Sequence, residues 1–151
     1  MTSVDDCTLV NLRKITGPHG SITPVYPHAD VPFDIERVYY LYDVPGGATR
    51  AGHAHLKLEQ LIVSVMGSFD IALDDGASQK TVRLDRAYTG LYMPNMIWRE
   101  IVNFSSGGVC LVLASRPFEE ADYIRDHAEF LRVKFGDRRP APPVAQTRRR
   151  A

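Results

Sequence analysis

Two histidines one residue apart, His53 and His55, are the sharpest chemical feature of this sequence. On a β-strand the side chains alternate with period 2, so both rings would point to one side and could reach one small molecule together. Imidazole, with an ordinary pKa of ~6.5, suits a base that removes a proton near neutral pH. The plainer reading is a pair of hydrogen-bonded structural histidines. Against it stands their scarcity: the chain has 5 His, and two of them are set side by side next to an apolar run. The two cysteines, Cys7 and Cys110, lie far apart in apolar surroundings, where buried free thiols are expected rather than a bridge.

The elements that must carry the histidines read as β-structure. Short β-rich runs separated by turn signals extend from Cys7 to Ser115, about nine strands, enough for an all-β sandwich or barrel. In the run Glu36 to Val44, alternation puts Arg37, Tyr39 and Leu41 on one face and Val38, Tyr40 and Tyr42 on the other. Gly67, between the runs Leu61 to Met66 and Ser68 to Asp74, marks a bulge or tight turn. Asp74-Asp75-Gly76 predicts a two-residue type I′ hairpin turn. Further strands are expected at Val82 to Leu84, Thr89 to Met93, Ile97 to Phe104 and Val109 to Ser115. Ile124, Ala128 and Leu131 recur at helical spacing, which predicts one C-terminal helix over Glu119 to Val133.

Length and charge fit a single soluble domain. The chain has 151 residues, with 18 Lys plus Arg balanced by 18 Asp plus Glu. That balance is unevenly spread, because Arg138, Arg139, Arg148, Arg149 and Arg150 follow the last acid, leaving a body with a net charge of −5. Residues 1–136 are expected to form the domain, and residues 137–151 a disordered, Pro-rich basic tail. Three consecutive arginines without interleaved aromatics fall short of a nucleic-acid-binding footprint, so no nucleic-acid partner is expected. No apolar run approaches the ~18–20 residues needed to span a bilayer, and the acidic start has no signal-peptide pattern; a cytoplasmic address is expected.

The segment "GGATRAGHAHLKLEQLIVSVMG" resembles the first motif of the cupins, with Gly47, His53, His55 and Gly67 in place. Gln60 stands where that motif has a metal-binding glutamate, and Glu59 falls one place early, so it would face away. The stretch from Pro94 to Asn103 is similar to the second motif, with Arg99 where the last metal-ligating histidine belongs. Guanidinium has no lone pair to donate, so this set is read as metal-free and suited to an anion. More of the text, "RVYYLYDV", "HAHLKLEQLIV", "GSFDIALDDG", "GLYMPNMIWREIVNFSS" and "VLASRPFEEADYIRDHAEF", closely resembles the sugar 3,4-ketoisomerases, or WxcM-like family.

The resemblance implies an all-β cupin, a double-stranded β-helix or jelly-roll barrel with one C-terminal helix, acting as a homodimer without cofactor. Its implied substrate is dTDP-4-keto-6-deoxy-D-glucose, converted to a 3-keto-6-deoxyhexose on the way to 3-amino-3,6-dideoxyhexoses of cell-surface glycans or antibiotics. Carried over, the catalytic residues are His53, His55 and Tyr39, with His53 as proton shuttle, His55 its partner and Tyr39 a donor or relay. Substrate contacts are expected from Arg37, Arg50, Arg99, Gln60 and Trp98, the arginines facing the diphosphate. The family often has glycine after the arginine, where this chain reads Arg50-Ala51-Gly52-His53. Two other readings stand beside this one: a metal-dependent cupin in which Glu59 or Asp70 restores the missing ligand, and a non-catalytic nucleotide-sugar-binding module. An N-terminal strand, Cys7 to Arg13, is expected to pair with a neighbour's sheet and cover an edge.

Overall fold

The computed structural model describes residues 1–136; the expected tail, residues 137–151, lies outside the described residues. Twelve strands, numbered in chain order, form two five-stranded antiparallel sheets and a small hairpin. In the first sheet the order is β1 (Thr8–Asn11), β9 (Thr89–Met93), β6 (Gln60–Met66), β11 (Val109–Ala114) and β4 (Arg37–Leu41). The second runs β12 (Tyr123–Ile124), β5 (Arg50–His55), β10 (Trp98–Val102), β7 (Phe69–Asp74) and β8 (Gln79–Leu84). β2 (Ile15–Gly17) and β3 (Gly20–Ile22) pair only with each other. This is the expected all-β cupin architecture. The three strands beyond the expected nine are β2, β3 and β12, too short to carry a periodic signal.

Alternation builds the core. Phe69, Ile71 and Leu73 of β7 point inward, with the more exposed Asp70, Ala72 and Asp74 between them. They meet Ile62, Leu91, Met93 and Val112 from the opposite sheet in one continuous apolar cluster. A second cluster, with Val31 and Phe33 against Leu61, Val63 and Leu113, covers the outer face of the first sheet. β6 is therefore buried on both faces and reads as an apolar run rather than an alternating one. Cys7 and Cys110 are free and buried, and burial pushes both thiols up, to about 11 and about 12.

Two expectations change. The helix α1 spans His127–Phe135, not Glu119 to Val133. Asp126 caps it, accepting from the Glu129 amide at 2.8 Å, and the preceding residues are a 3₁₀ turn (Glu120–Asp122) followed by β12. Ile124 is thus a strand residue paired with Ala54, and Ala128 is exposed; Phe130 is the residue that α1 buries, in a cluster with Ala54, Trp98 and Ile124. The N-terminal strand pairs with β9 of its own chain, Thr8 opposite Tyr92 and Asn11 opposite Thr89, and is the outermost strand of the first sheet. Secondly, the β7–β8 turn is longer than two residues, because Asp74 pairs with Gln79. The Asp75 carboxylate shapes it by accepting from the amides of Ala77 and Ser78 at 2.8 and 2.7 Å. Gly67 does sit in a tight turn, at φ 68°, where a Cβ would fall 2.9 Å from the Gly108 backbone.

Candidate active site

A cavity of about 450 Å³ opens between the two sheets, lined by Arg37, Tyr39, Arg50, His53, Gln60, Arg99, Tyr123 and Arg125 among others. Strand alternation brings Arg37 and Tyr39 into it from β4, with Val38 and Tyr40 exposed on the other side. The guanidinium of Arg37 lies over the Tyr39 ring, 4.5 Å from its centre, and donates to the Tyr123 hydroxyl at 3.3 Å.

A bulge in β5 sets the histidines. Arg99 pairs with His53 but Glu100 pairs with Ala51, so Gly52 is an extra residue on the β5 side. Ala51 and Gly52 both adopt positive φ, 69° and 70°. Beyond the bulge His53 lines the cavity, and His55, two residues on, lies behind it fully buried.

The two rings form a chain that ends on a carboxylate. His53 Nε2 is 3.1 Å from His55 Nε2, and His55 Nδ1 is 3.1 Å from Asp122 Oδ2. Asp122 is itself fixed by the Lys57 and Leu58 amides, at 2.8 and 3.3 Å. A carboxylate only accepts, so His55 carries its hydrogen on Nδ1 and presents a lone pair at Nε2. In the neutral pair that lone pair accepts from His53 Nε2–H, which leaves His53 Nδ1 unprotonated and without a partner. The Tyr123 ring packs against both imidazoles, with ring centres 4.9 Å from His53 and 4.4 Å from His55.

Electrostatics keep this pair neutral. Burial, and then the Arg99 charge, push His53 down to about 3 and His55 to about 2. The Ala51 carbonyl acts in the opposite direction on His53, favouring a ring that has taken up a proton. Burial raises Tyr39 to about 12, so its hydroxyl remains a donor. Arg99 is fully buried, and desolvation lowers it to about 10, still charged at neutral pH. Among the described residues no carboxylate lies within ion-pair distance of it; its Nε and Nη2 rest 3.1 and 2.9 Å from Met93 Sδ, and Nη1 has no partner.

Of the residues singled out in the sequence, Arg37, Tyr39, Arg50, His53, Gln60 and Arg99 meet in this cavity, and His55 stands directly behind His53. Trp98 does not join them. Residues 98 and 99 are consecutive on β10, so with Arg99 inward Trp98 must face outward, where it packs against His127 and Phe130. It borders a different cavity, of about 390 Å³, with Asp74, Glu100 and His127. Glu59 and Asp70 are also turned away: Glu59 accepts from the Tyr92 hydroxyl, and Asp70 is bound by Arg83 and Asn103 at 3.3 and 2.9 Å. Neither is placed to complete a metal site at the histidines, and among the described residues no three potential ligands cluster. Asp122, Tyr123 and Arg125 were not foreseen, because their segment reads as helix. The usable signal was chemical: a buried histidine pair needs an acceptor for its outer N–H.

Comparison with known proteins gives a consistent picture. The family described as "FdtA: WxcM-like, C-terminal" matches residues 5–135. A TDP-4-oxo-6-deoxy-alpha-D-glucose-3,4-oxoisomerase of Aneurinibacillus thermoaerophilus is 41% identical over 122 residues, 81% of this chain and 88% of that relative. The solved TDP-quinovose 3,4-ketoisomerase of Campylobacter jejuni is 43% identical, covering 84% of this chain and 98% of that one, with a TM-score of 0.81. A mutant of the 3,4-ketoisomerase from Thermoanaerobacterium thermosaccharolyticum, with asparagine in place of one histidine, was solved in complex with TDP-4-keto-6-deoxyglucose; it is 37% identical over 82% of this chain and 90% of that one, TM-score 0.80.

Proposed function

Since this chain belongs to the WxcM-like family of sugar 3,4-ketoisomerases, we propose that its cavity binds dTDP-4-keto-6-deoxy-D-glucose and moves the ketone from C4 to C3. The observation that carries this reading is the Asp122–His55–His53 chain ending in a cavity that also holds the Tyr39 hydroxyl and several arginines.

His53 removes the proton from C3, and the electron pair forms the C3–C4 double bond as the C4 ketone becomes an enediolate oxygen. The hydroxyl proton on O3 passes to O4, with Tyr39 as relay. The O3 electrons then form the C3 ketone, and C4 takes up a proton. Atoms and electrons balance within the sugar, so the reaction needs no redox partner and no cofactor. A positioned acid/base group contributes ~10² to 10⁴-fold to such steps. The pairing of His53 with His55 gives the proton taken from carbon a second acceptor, and Asp122 holds His55 in the tautomer that permits it. At the mouth, the diphosphate meets Arg37, Arg50 and Arg125, of which Arg50 and Arg125 are exposed.

The proposed chemistry is independent of metal, with His53 and His55 serving as acid/base groups rather than ligands. The proposed assembly is a homodimer: Val38, Tyr40 and Tyr42 on the outer side of the edge strand β4 and the residues beyond it are 56%, 59% and 61% exposed. Sedimentation would test it, with Tyr40→Lys expected to weaken a dimer. The site of action is the cytoplasm, where nucleotide sugars are made; among the described residues no helix is long and apolar enough to cross a membrane.

The direct test is incubation with dTDP-4-keto-6-deoxyglucose in D₂O, followed by NMR. Deuterium at C4 of a 3-keto product, together with exchange at C3 of the substrate, is expected. Absence of both exchange and product would overturn the reading, and stoichiometric iron, manganese, nickel or zinc in active protein would overturn its metal independence.

A further inference from the structure

Four buried polar atoms that line or adjoin the cavity have no hydrogen-bond partner: Arg37 Nη1, His53 Nδ1, Gln60 Nε2 and Arg99 Nη1. Such atoms are scarce in folded proteins, and their gathering at one cavity marks groups held ready for a ligand. Two of them share a location. Gln60 lies directly opposite Met93 in the β6–β9 pairing, both residues are buried, and the Arg99 guanidinium rests on the Met93 sulfur. Directly paired residues of adjacent strands project to the same face, so the amide and the guanidinium converge on one patch of the inner wall. His53 lies beside Arg99 in the β5–β10 pairing, which completes the group.

We infer that Gln60 and Arg99 together form the site that stabilises the enediolate oxygen, and that Arg99 does not hold the diphosphate. The inference rests on the ketoisomerase reading and assigns roles within it. Both residues stand at positions where the cupin motifs place metal ligands, so a fixed organic cation and a neutral amide donor occupy the place of the metal ion. The charge balance supports this division. At the mouth Arg37 and Arg50 have no carboxylate partner among the described residues and can meet a diphosphate that is charged from the outset, while Arg125 is already bound to Glu120 at 2.7 and 3.0 Å. A fully buried cation without a carboxylate partner, as Arg99 is, stays costly until an anion arrives. The ketone substrate is neutral at its reacting carbons and the enediolate is not, so Arg99 gains its counter-charge as the transition state forms. Interactions that strengthen only then raise kcat rather than substrate affinity.

The test separates the two arginine roles. Arg99→Met and Gln60→Leu are assayed for turnover, for C3 deuterium exchange and for dTDP affinity by calorimetry, with wild-type protein alongside. Arg99→Met should lose ~10² to 10³-fold in kcat and C3 exchange, and Gln60→Leu at least ~10-fold, with dTDP affinity within about twofold of wild type. Arg99→Lys, which keeps a charge without the fork, should retain more activity than Arg99→Met. Retained dTDP binding also shows that each variant is folded. If Arg99→Met weakens dTDP by tenfold or more while kcat holds, Arg99 is a diphosphate ligand and the inference fails. It fails as well if Gln60→Leu turns over within twofold of wild type. A wild-type protein that neither exchanges C3 nor forms product would instead sink the ketoisomerase reading itself.

Discussion

Two cavities bordered by β10 are alike in size, about 450 and 390 Å³, and each holds a histidine with a carboxylate nearby. They differ in what is left unpaired. In the outer cavity His127 Nε2 pairs with Asp74 at 3.0 Å, Asp74 also accepts from Gln79 at 3.2 Å, and Trp98 is packed against Phe130. Its histidine side chain is 43% exposed. In the inner cavity the histidine is backed by a second histidine and a buried carboxylate, and four polar atoms there await partners. A histidine–carboxylate pair is therefore not by itself the mark of a site. Burial together with unmet hydrogen-bonding capacity is.

The strongest way to break this contrast is to remove one histidine from each cavity. His53→Asn keeps a polar side chain but has no titratable nitrogen, and should lose ~10³-fold or more in turnover while remaining folded and binding dTDP. His127→Asn should stay within twofold of wild type. Equal losses in steady-state assays would show that the outer cavity takes part in the reaction.

A smaller effect is expected from Asp122→Asn, which acts through His55 rather than on the substrate. The amide oxygen can still accept from the Lys57 N–H, which turns the NH₂ group toward His55 Nδ1 and the Leu58 N–H, so the tautomer of His55 is no longer held. Turnover should fall roughly 10 to 100-fold, a fraction of what a general acid/base contributes, with KM within about twofold. A change confined to KM would mean that Asp122 shapes the binding cavity and does not position the pair.

Acid should reveal the same burial. With His53 at about 3 and His55 at about 2, kcat/KM should show no histidine limb between pH 5 and 8. Stability follows the opposite path from a salt-bridged histidine. The unfolded chain takes up protons on these rings below ~6.5 and the folded chain refuses them, so stability is full above ~6.5 and declines from there down toward about 3. Each ring contributes up to ~1.4 kcal/mol per pH unit, so the slope should approach about 2–3 kcal/mol per pH unit below pH 6, measured by urea unfolding at pH 7, 6 and 5. In Arg99→Met, where the second cause of the lowered values is gone, an acid limb in kcat/KM should move upward. A limb already near 6.5 in wild type would show that the pair is solvated and would erase the distinction between the cavities.

Much of this was legible in the residues themselves. β9 falls where its turn signals put it, and the alternation of Arg37, Tyr39 and Leu41 against Val38 and Tyr40 gives the inner wall of the cavity without any structure. The same alternation, applied strictly, already forbids Trp98 and Arg99 from sharing a cavity. Asp122 and Tyr123 were not legible, for a physical reason. Their partners, His55 with the amides of Lys57 and Leu58, are more than sixty residues away in sequence, and local spacing around Ile124 imitates a helix. Long-range pairing overrode local periodicity there.

The finest difference between the two sides of β10 lies in the backbone that aims the inner histidine. Ala51 holds φ 69°, where a non-glycine residue is disfavoured by ~1–2 kcal/mol, and its exposed side chain makes no compensating burial. Ala51→Gly removes that strain but adds freedom to the unfolded chain, which costs ~0.4–1 kcal/mol. The net should be a stabilisation of about 0.5 kcal/mol, a rise of a degree or two in Tm, with turnover within twofold of wild type. Ala51→Val, β-branched at the same φ, should lower Tm and also reduce turnover, because the bulge that turns His53 inward would shift to relieve the clash. If Ala51→Val lowered Tm and left turnover intact, the bulge would be a structural feature of β5 and His53 would owe its aim to Asp122 and His55 alone.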